Sequence, residues 1–374
     1  MSKNLIINVL RSTEISNLNR DDAGAPKSAV IGGVTRARWS SQSVKREIRK
    51  ALHDINANKY NGLRTRDIEN TIKESLLSFD CPKEKILVFA DLIAKAFGTK
   101  GESKAETAKD ETAVPNTEKT EEKDTKDSIG YFSKNELSVI AKALKDLEWD
   151  ESKVASKRGL SVEIKKAIKE AQKENGAFMD AVDIAIFGRM FASNPELCVE
   201  GALCVSHSYS THESTTDVDF FTAMDDLVTD MGSAHMGTKE FQSSVMAQTF
   251  ALNIDILRSN LVTATEEEIK SIIKDLSLSI VKFGTPTGNR TGMLSNVFPQ
   301  FAYATISQGV ASAVSFETPV KFEEEGGYLG NSISAMEKEI KRINTFQEKI
   351  FAEMPLVDAN GLKVDSFDMV VQNV

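Results

Sequence analysis

Six basic side chains crowd into residues 34–50, VTRARWSSQSVKREIRK, against one acid, Glu47. The whole chain has 46 Lys and Arg and 55 Asp and Glu, a net charge of -9. The segment itself is +5, which leaves the remainder at -14. Ser40 or Ser41 suits a helix N-cap. A helix start offers unpaired amides and a positive dipole end, which favour phosphate. Ser40, Ser41 and Gln42 add neutral donors there, and Lys45, Arg46 and Arg49 add charge. Lys45 and Arg49 are four apart, as are Arg46 and Lys50. They share the polar side of a helix whose other side carries Val44, Ile48, Ala51, Leu52 and Ile55. The preceding VTRARW alternates as a strand does, with Arg36 and Arg38 on one face, so the basic surface is expected to span both elements. The competing reading is a solvated helix face, because Lys and Arg are common there.

Other residue types could do other chemistry. His207 and His212, with Asp217, Asp219, Asp225, Asp226 and His235, invite a metal reading, but residues five apart on a strand point to opposite faces. Polar surface residues of a hairpin are the simpler account. Asp21 and Asp22 in NRDDAG could hold a divalent ion and cleave a phosphodiester. Aspartates in such a loop more often close turns or pair with arginine. Phe220 and Phe221 follow a polar hairpin tip. Adjacent on a strand, they face opposite ways, so at least one is available to stack on a base. Met190 could present a soft apolar surface to a base. Both sets also suit a core. No GxxxxGK[ST], GxSxG or HExxH occurs, and Gly32-Gly33 and Gly326-Gly327 are isolated pairs.

These residues need elements to hold them. LIINVL (5–10) reads as a buried strand and NLNRDDAGAPKS (17–28) as a polar loop. Residues 60–99 and 131–190 carry helical periodicity in four stretches. Between them, 100–128 has six Lys, nine Asp or Glu and one large aliphatic, Val114. Such a composition predicts a disordered loop. ALCVSHSYSTH through VDFFTAMDDL suggests a long hairpin. FQSSVMAQTFALNIDIL (241–257) predicts a strand, and 265–283 a helix opened by a Thr265–Glu268 capping box. KFGTPTGNRTG is a turn-rich loop with Arg290. FPQFAYATIS predicts a strand and 334–351 a closing helix. The order implies an α+β sheet domain assembled from both chain ends around a helical insertion.

At 374 residues the chain has room for two domains. No apolar run nears the roughly 20 residues of a membrane span. The apolar run before Arg11 is too short for a signal peptide. Three cysteines without metal spacing point to a reducing cytoplasm.

Taken in order, LNRDD (18–22), Lys27, Gly32-Gly33 and the R-x-R-x-SSQSxKRxxRK run to residue 50 resemble the start of the CasC family. These are Cas-seven-type backbone subunits of type I-E CRISPR Cascade complexes. DIAIFGRM (183–190), SHSYSTHESTTDVDFFTAMDDL (206–227) and GSAHMGTKEFQSSVMAQTFALNI (232–254) continue the resemblance, which ends near 307. It implies a hand-like protein. The palm is a modified RNA-recognition-motif (ferredoxin-like) sheet from 1–59, 183–199 and 229–374. The fingers are a helical insertion at 60–182, and the thumb is a β-hairpin at 200–228. Copies would stack head to tail along CRISPR RNA beside other Cascade subunits, presenting the spacer to a target DNA strand. By the same resemblance, Arg20, Lys27, Ser40, Ser41, Gln42, Lys45, Arg46 and Arg49 hold the RNA backbone. Met190 contacts RNA near a neighbouring thumb. Phe220 and Phe221 form the thumb wedge, Phe220 standing where the family commonly has Trp. No cofactor, metal or catalytic residue is implied. A second reading is a metal-dependent ribonuclease using Asp21 or Asp22, as in relatives of other CRISPR types.

Overall fold

A computed structural model describes residues 1–98, 129–156, 159–174, 178–223, 235–288 and 294–374. The chain forms two units. One comprises 1–57, 202–259 and 264–374, the other 58–201 and 260–263. The expected disordered loop at 100–128, Arg290, Asp225 and Asp226 lie outside the described residues. Residues 183–199, expected with the palm, fall in the second unit.

The first unit opens with β1 (Lys3–Ser16), longer at both ends than its apolar centre. β2 (Ser28–Ile31) and β3 (Val34–Trp39) form a hairpin closed by Gly32 and Gly33. Both glycines have positive φ, 62° and 80°. A two-residue turn of this hand favours glycine at both places. A Cβ on Gly32 would also collide with the carbonyl oxygen of Glu317. The helix α1 (Ser41–Ile55) follows, burying Val44, Ile48, Ala51 and Leu52.

The second unit contains β4 (Leu63–Thr65), α2 (Ile68–Ser78), α3 (Ile86–Phe97), β5 (Gly130–Phe132) and α4 (Lys134–Asp146). Then come β6 (Ala155–Ser156), β7 (Gly159–Leu160), α5 (Val162–Glu174) and α6 (Val182–Phe187). The apolar stripes of α2 to α5 meet in one core that includes Ile72, Phe89, Ile93, Ile140 and Ile164. Phe97, Phe132 and Phe191 close it with ring centroids 5.0–5.3 Å apart. Beside them the Arg189 guanidinium is buried against Glu136 (Nη2 to Oε1 2.7 Å) and lies 4.9 Å from the Phe178 and Phe191 ring centroids.

The first unit resumes with β8 (Leu203–Val205), β9 (Ser208–Ser210), β10 (Asp217–Ala223), β11 (His235–Asn253), α7 (Ile254–Asn260) and α8 (Glu266–Phe283). The chain finishes with β12 (Phe301–Gln308), α9 (Leu329–Asn344), β13 (Lys349–Asp358), β14 (Gly361–Leu362) and α10 (Val364–Asn373). The Thr265–Glu268 capping box opens α8 as predicted. The large sheet runs β14-β13-β12-β1-β11-β9-β3-β2, with β8 and β10 also paired to β11. Every pairing is antiparallel. α9 covers the face that carries Leu10, Val245 and Phe301. Arg11 points to the other face, where it meets the carbonyls of α8.

Three expectations need correcting. The strand predicted to 257 ends at Asn253, and IDIL begins α7. The closing helix stops at Asn344, and residues 349–358 form β13 instead. Ile350 pairs with Ser307 of β12, so the sheet edge claims the end of the predicted helix. The strand that pairs with β10 is the start of β11, Asp217 facing Phe241 through Ala223 facing His235, beyond the expected thumb limit at 228.

Candidate nucleic-acid interface

The start of α1 is built as the Ser-rich junction requires. The Ser40 hydroxyl accepts from the Ser43 amide at 3.4 Å, and the Ser40 amide donates to Asn19 Oδ1 at 2.8 Å. The second bond ties the cap to the 17–28 loop. That loop also runs along β3: Lys27 N–H donates to Asn19 O (3.0 Å), and Arg38 N–H donates to Lys27 O (2.9 Å). Arg20, Lys27 and Ser40 are thereby held on one frame. Arg20 and Arg46 line one open cavity of about 540 Å³ with Asp22 and Ser43.

The charges there are unequal. The side chains of Arg20, Lys27 and Lys45 have no hydrogen-bond or ion-pair partner among the described residues. Arg46 is paired with Glu47 at 2.8 Å, and Lys50 reaches the other Glu47 oxygen at 3.5 Å. Glu47 is buried, so one acid beneath the basic face offsets part of its charge. Arg49 is half-buried, and Gln42 is exposed and accepts from the Ser41 hydroxyl at 3.5 Å.

Arg36 overturns the expected two-arginine surface. Its side chain is buried and donates to the carbonyls of Ile31 (3.3 Å), Ser210 (2.9 Å) and Phe316 (3.0 Å). Burial pushes its pKa down. The 314–317 segment covers this face of β3, so Arg36 locks the sheet and only Arg38 is left partly open. Arg38 reaches His207, whose Nδ1 is 3.4 Å from Arg38 Nη1 and accepts from the Ser41 amide at 3.4 Å. Spacing along the chain does not put His207 at the helix start, because only folding brings β9 beside β3.

His212 is neither a surface residue nor a free ligand. Its Nδ1 faces Glu213 O at 2.6 Å, its Nε2 accepts from Val245 N–H at 3.2 Å, and its ring stacks on Tyr328 at 3.7 Å. Both nitrogens are used. Asp21 closes a turn, its Oδ1 accepting from Ala25 N–H at 2.9 Å.

A family model described as CT1975-like protein matches residues 5–367. The chain belongs to this Cas family. The match includes the stretch after 307 that the sequence resemblance leaves out. The CT1975-like chain is also similar in fold to two solved chains. One comes from a "CRISPR RNA-guided surveillance complex, pre-nicking", with a TM-score of 0.70, 24% identity and 99% of each chain covered. The other comes from a "CRISPR RNA-guided surveillance complex", with a TM-score of 0.63, 19% identity, and 99% of this chain and 100% of that one covered. No curated protein sequence matches.

In this CT1975-like protein the two adjacent phenylalanines do face opposite ways on the β10–β11 ribbon. Phe220 is 62% exposed and shares its face with exposed Val218 and Met236. Phe221 lies on the other face beneath Lys239, whose Nζ is 4.6 Å from the ring centroid. A Cβ on Gly237 would sit 2.7 Å from that ring, so glycine makes room for it. Met190 belongs to the second unit and is 81% exposed, next to the buried Arg189.

Proposed function

We propose that this CT1975-like protein is a non-catalytic scaffold that grips guide RNA in a CRISPR surveillance complex of the type I-E kind. The observation that carries the proposal is the set of cations, Arg20, Lys27 and Lys45, that have no partner among the described residues around a capped helix start. Guide sequences differ, so such a subunit must hold sugar and phosphate and leave base edges free. Point charges and helix amides do this without reading sequence. Ser40, Ser41, Gln42, Arg46 and Arg49 complete the grip. Phe220 serves as a wedge that stacks on bases, Phe221 supports it from the opposite face, and Met190 offers a second apolar contact. The first unit acts as an RNA-recognition-motif-derived palm with the ribbon as thumb, and the second as fingers. Copies line up along one RNA with other subunits beside them, and the exposed bases pair with target DNA.

The test is filter binding of guide RNA to a Lys45→Ala/Arg49→Ala variant. Two lost phosphate contacts should weaken binding and reduce the salt slope by about 1.4 for single-stranded RNA, whatever the spacer sequence. An unchanged affinity and slope would sink the proposal. Incubation with complementary RNA and Mg²⁺ checks the ribonuclease reading: Asp21- or Asp22-dependent cuts would replace the scaffold role by a nuclease.

A further inference from the structure

β1 and β11 fall out of step near the end of β1. Thr13 faces Ser244 and Ser16 faces Gln242, so three steps along β1 match two along β11. One extra residue therefore sits on β1 and interrupts the ladder, which makes a bulge. Glu14 and Ile15 are turned out to solvent there. Beneath the bulge, where the two strands meet the 17–28 loop, lies a small cavity. Its polar lining includes Thr13, Ser16, Asn17, Asn19, Gln242 and Ser244.

Asn17 is the residue there whose hydrogen bonding is incomplete. It is 4% exposed, and its Nδ2 donates to Gly24 O (3.0 Å) and Glu240 O (3.1 Å). Those two bonds fix the orientation of the amide. Turned over, it would set its oxygen against two carbonyl oxygens, which have nothing to donate. Oδ1 is thus kept away from them, and it has no partner among the described residues. A buried amide oxygen without a donor is unfavourable. The neighbouring hydroxyls are already engaged. Thr13 donates to Ser244 O, Ser16 donates to Glu14 O, and the Ser244 hydroxyl is paired with that of Ser214. Asn19 is placed differently: its Oδ1 accepts from the Ser40 amide, which leaves Nδ2 to donate elsewhere.

We infer that one buried water molecule is a fixed part of this site, donating to Asn17 Oδ1 and accepting from Asn19 Nδ2. The cavity leaves about 10 Å³ for the centre of a water. That is near the lower limit for holding one water and too little for a larger ligand. The walls supply both an acceptor and a donor, as a bound water requires. The water compensates the bulge for its interrupted ladder. It also joins β1 to the loop that carries Arg20 and Lys27 and, through Asn19, to the cap of α1. This holds whatever the basic surface binds.

The test is a crystal structure of the full chain at a resolution that shows ordered water. One fully occupied water should lie about 2.5–3.0 Å from Asn17 Oδ1. A site without water density, or an Asn17 oxygen bonded to a protein donor instead, overturns the inference. Water relaxation dispersion reads the same site in solution. Wild type should hold one more long-lived water than Asn17→Leu, whose side chain is of similar size and cannot bond it. Equal numbers would also overturn the inference. Asn17→Leu loses the bonds to Gly24 and Glu240 as well, so circular dichroism checks its fold. Should it fail to fold, the density beside wild-type Asn17 decides alone.

Discussion

His212 shows how far one residue's environment can depart from its sequence context. Burial holds its pKa below the ordinary 6.5, helped by nearby Arg36 and opposed by the bond to Glu213 O. Charging it would place a second N–H against the Val245 amide. The folded protein therefore takes up this proton less readily than the unfolded chain. Stability is full above about pH 6.5 and falls as pH drops toward the lowered folded value, by at most about 1.4 kcal/mol per pH unit for one proton. Melting temperatures of wild type and His212→Phe should converge as pH is lowered from about 7.5 to 5. A constant gap between them overturns the assignment. The same environment explains why the histidines were hard to read. Spacing along 207–212 gives the two histidines different faces, but only packing shows that one is buried and the other sits at the start of α1.

At the scale of elements, the β2–β3 hairpin carries two separable constraints. Gly33 has a positive φ and open space, whereas Gly32 has a positive φ and the Glu317 carbonyl against it. Gly33→Ala should cost about 1–2 kcal/mol from the left-handed backbone alone. Gly32→Ala should cost more, and urea melts that give equal losses would remove the Glu317 collision from the account. The sequence offered Gly32-Gly33 as an isolated pair, although two glycines between alternating strands are a hairpin signal. Long periodic segments were legible: α2 to α5 and α8 stand where periodicity and the Thr265 cap put them. The short strands β4 to β7 were not, because two or three residues cannot show a period. Arg36 was misread for a related reason. Alternation gives the face of a strand but not what covers it, and here residues far along the chain do.

For the whole molecule, acidity and RNA binding are compatible. A net -9 with +5 gathered at 34–50 leaves the remaining surface repelling stray nucleic acid. Protein purified in its native state should therefore elute as a large assembly containing RNA of uniform length, and nuclease treatment should shrink it. A monomer free of nucleic acid would contradict the multi-copy arrangement.

The place of β1 has a consequence for how the protein is made. β1 pairs on one side with residues 242–253 and on the other with 301–308, all far later in the chain. It must wait for most of the chain to be synthesised before it has either neighbour. The loop and helix that carry Arg20, Lys27 and Lys45 follow that strand. Chains truncated before residue 242 thus lack both neighbours of β1, and with them the sheet that shapes the loop and the helix.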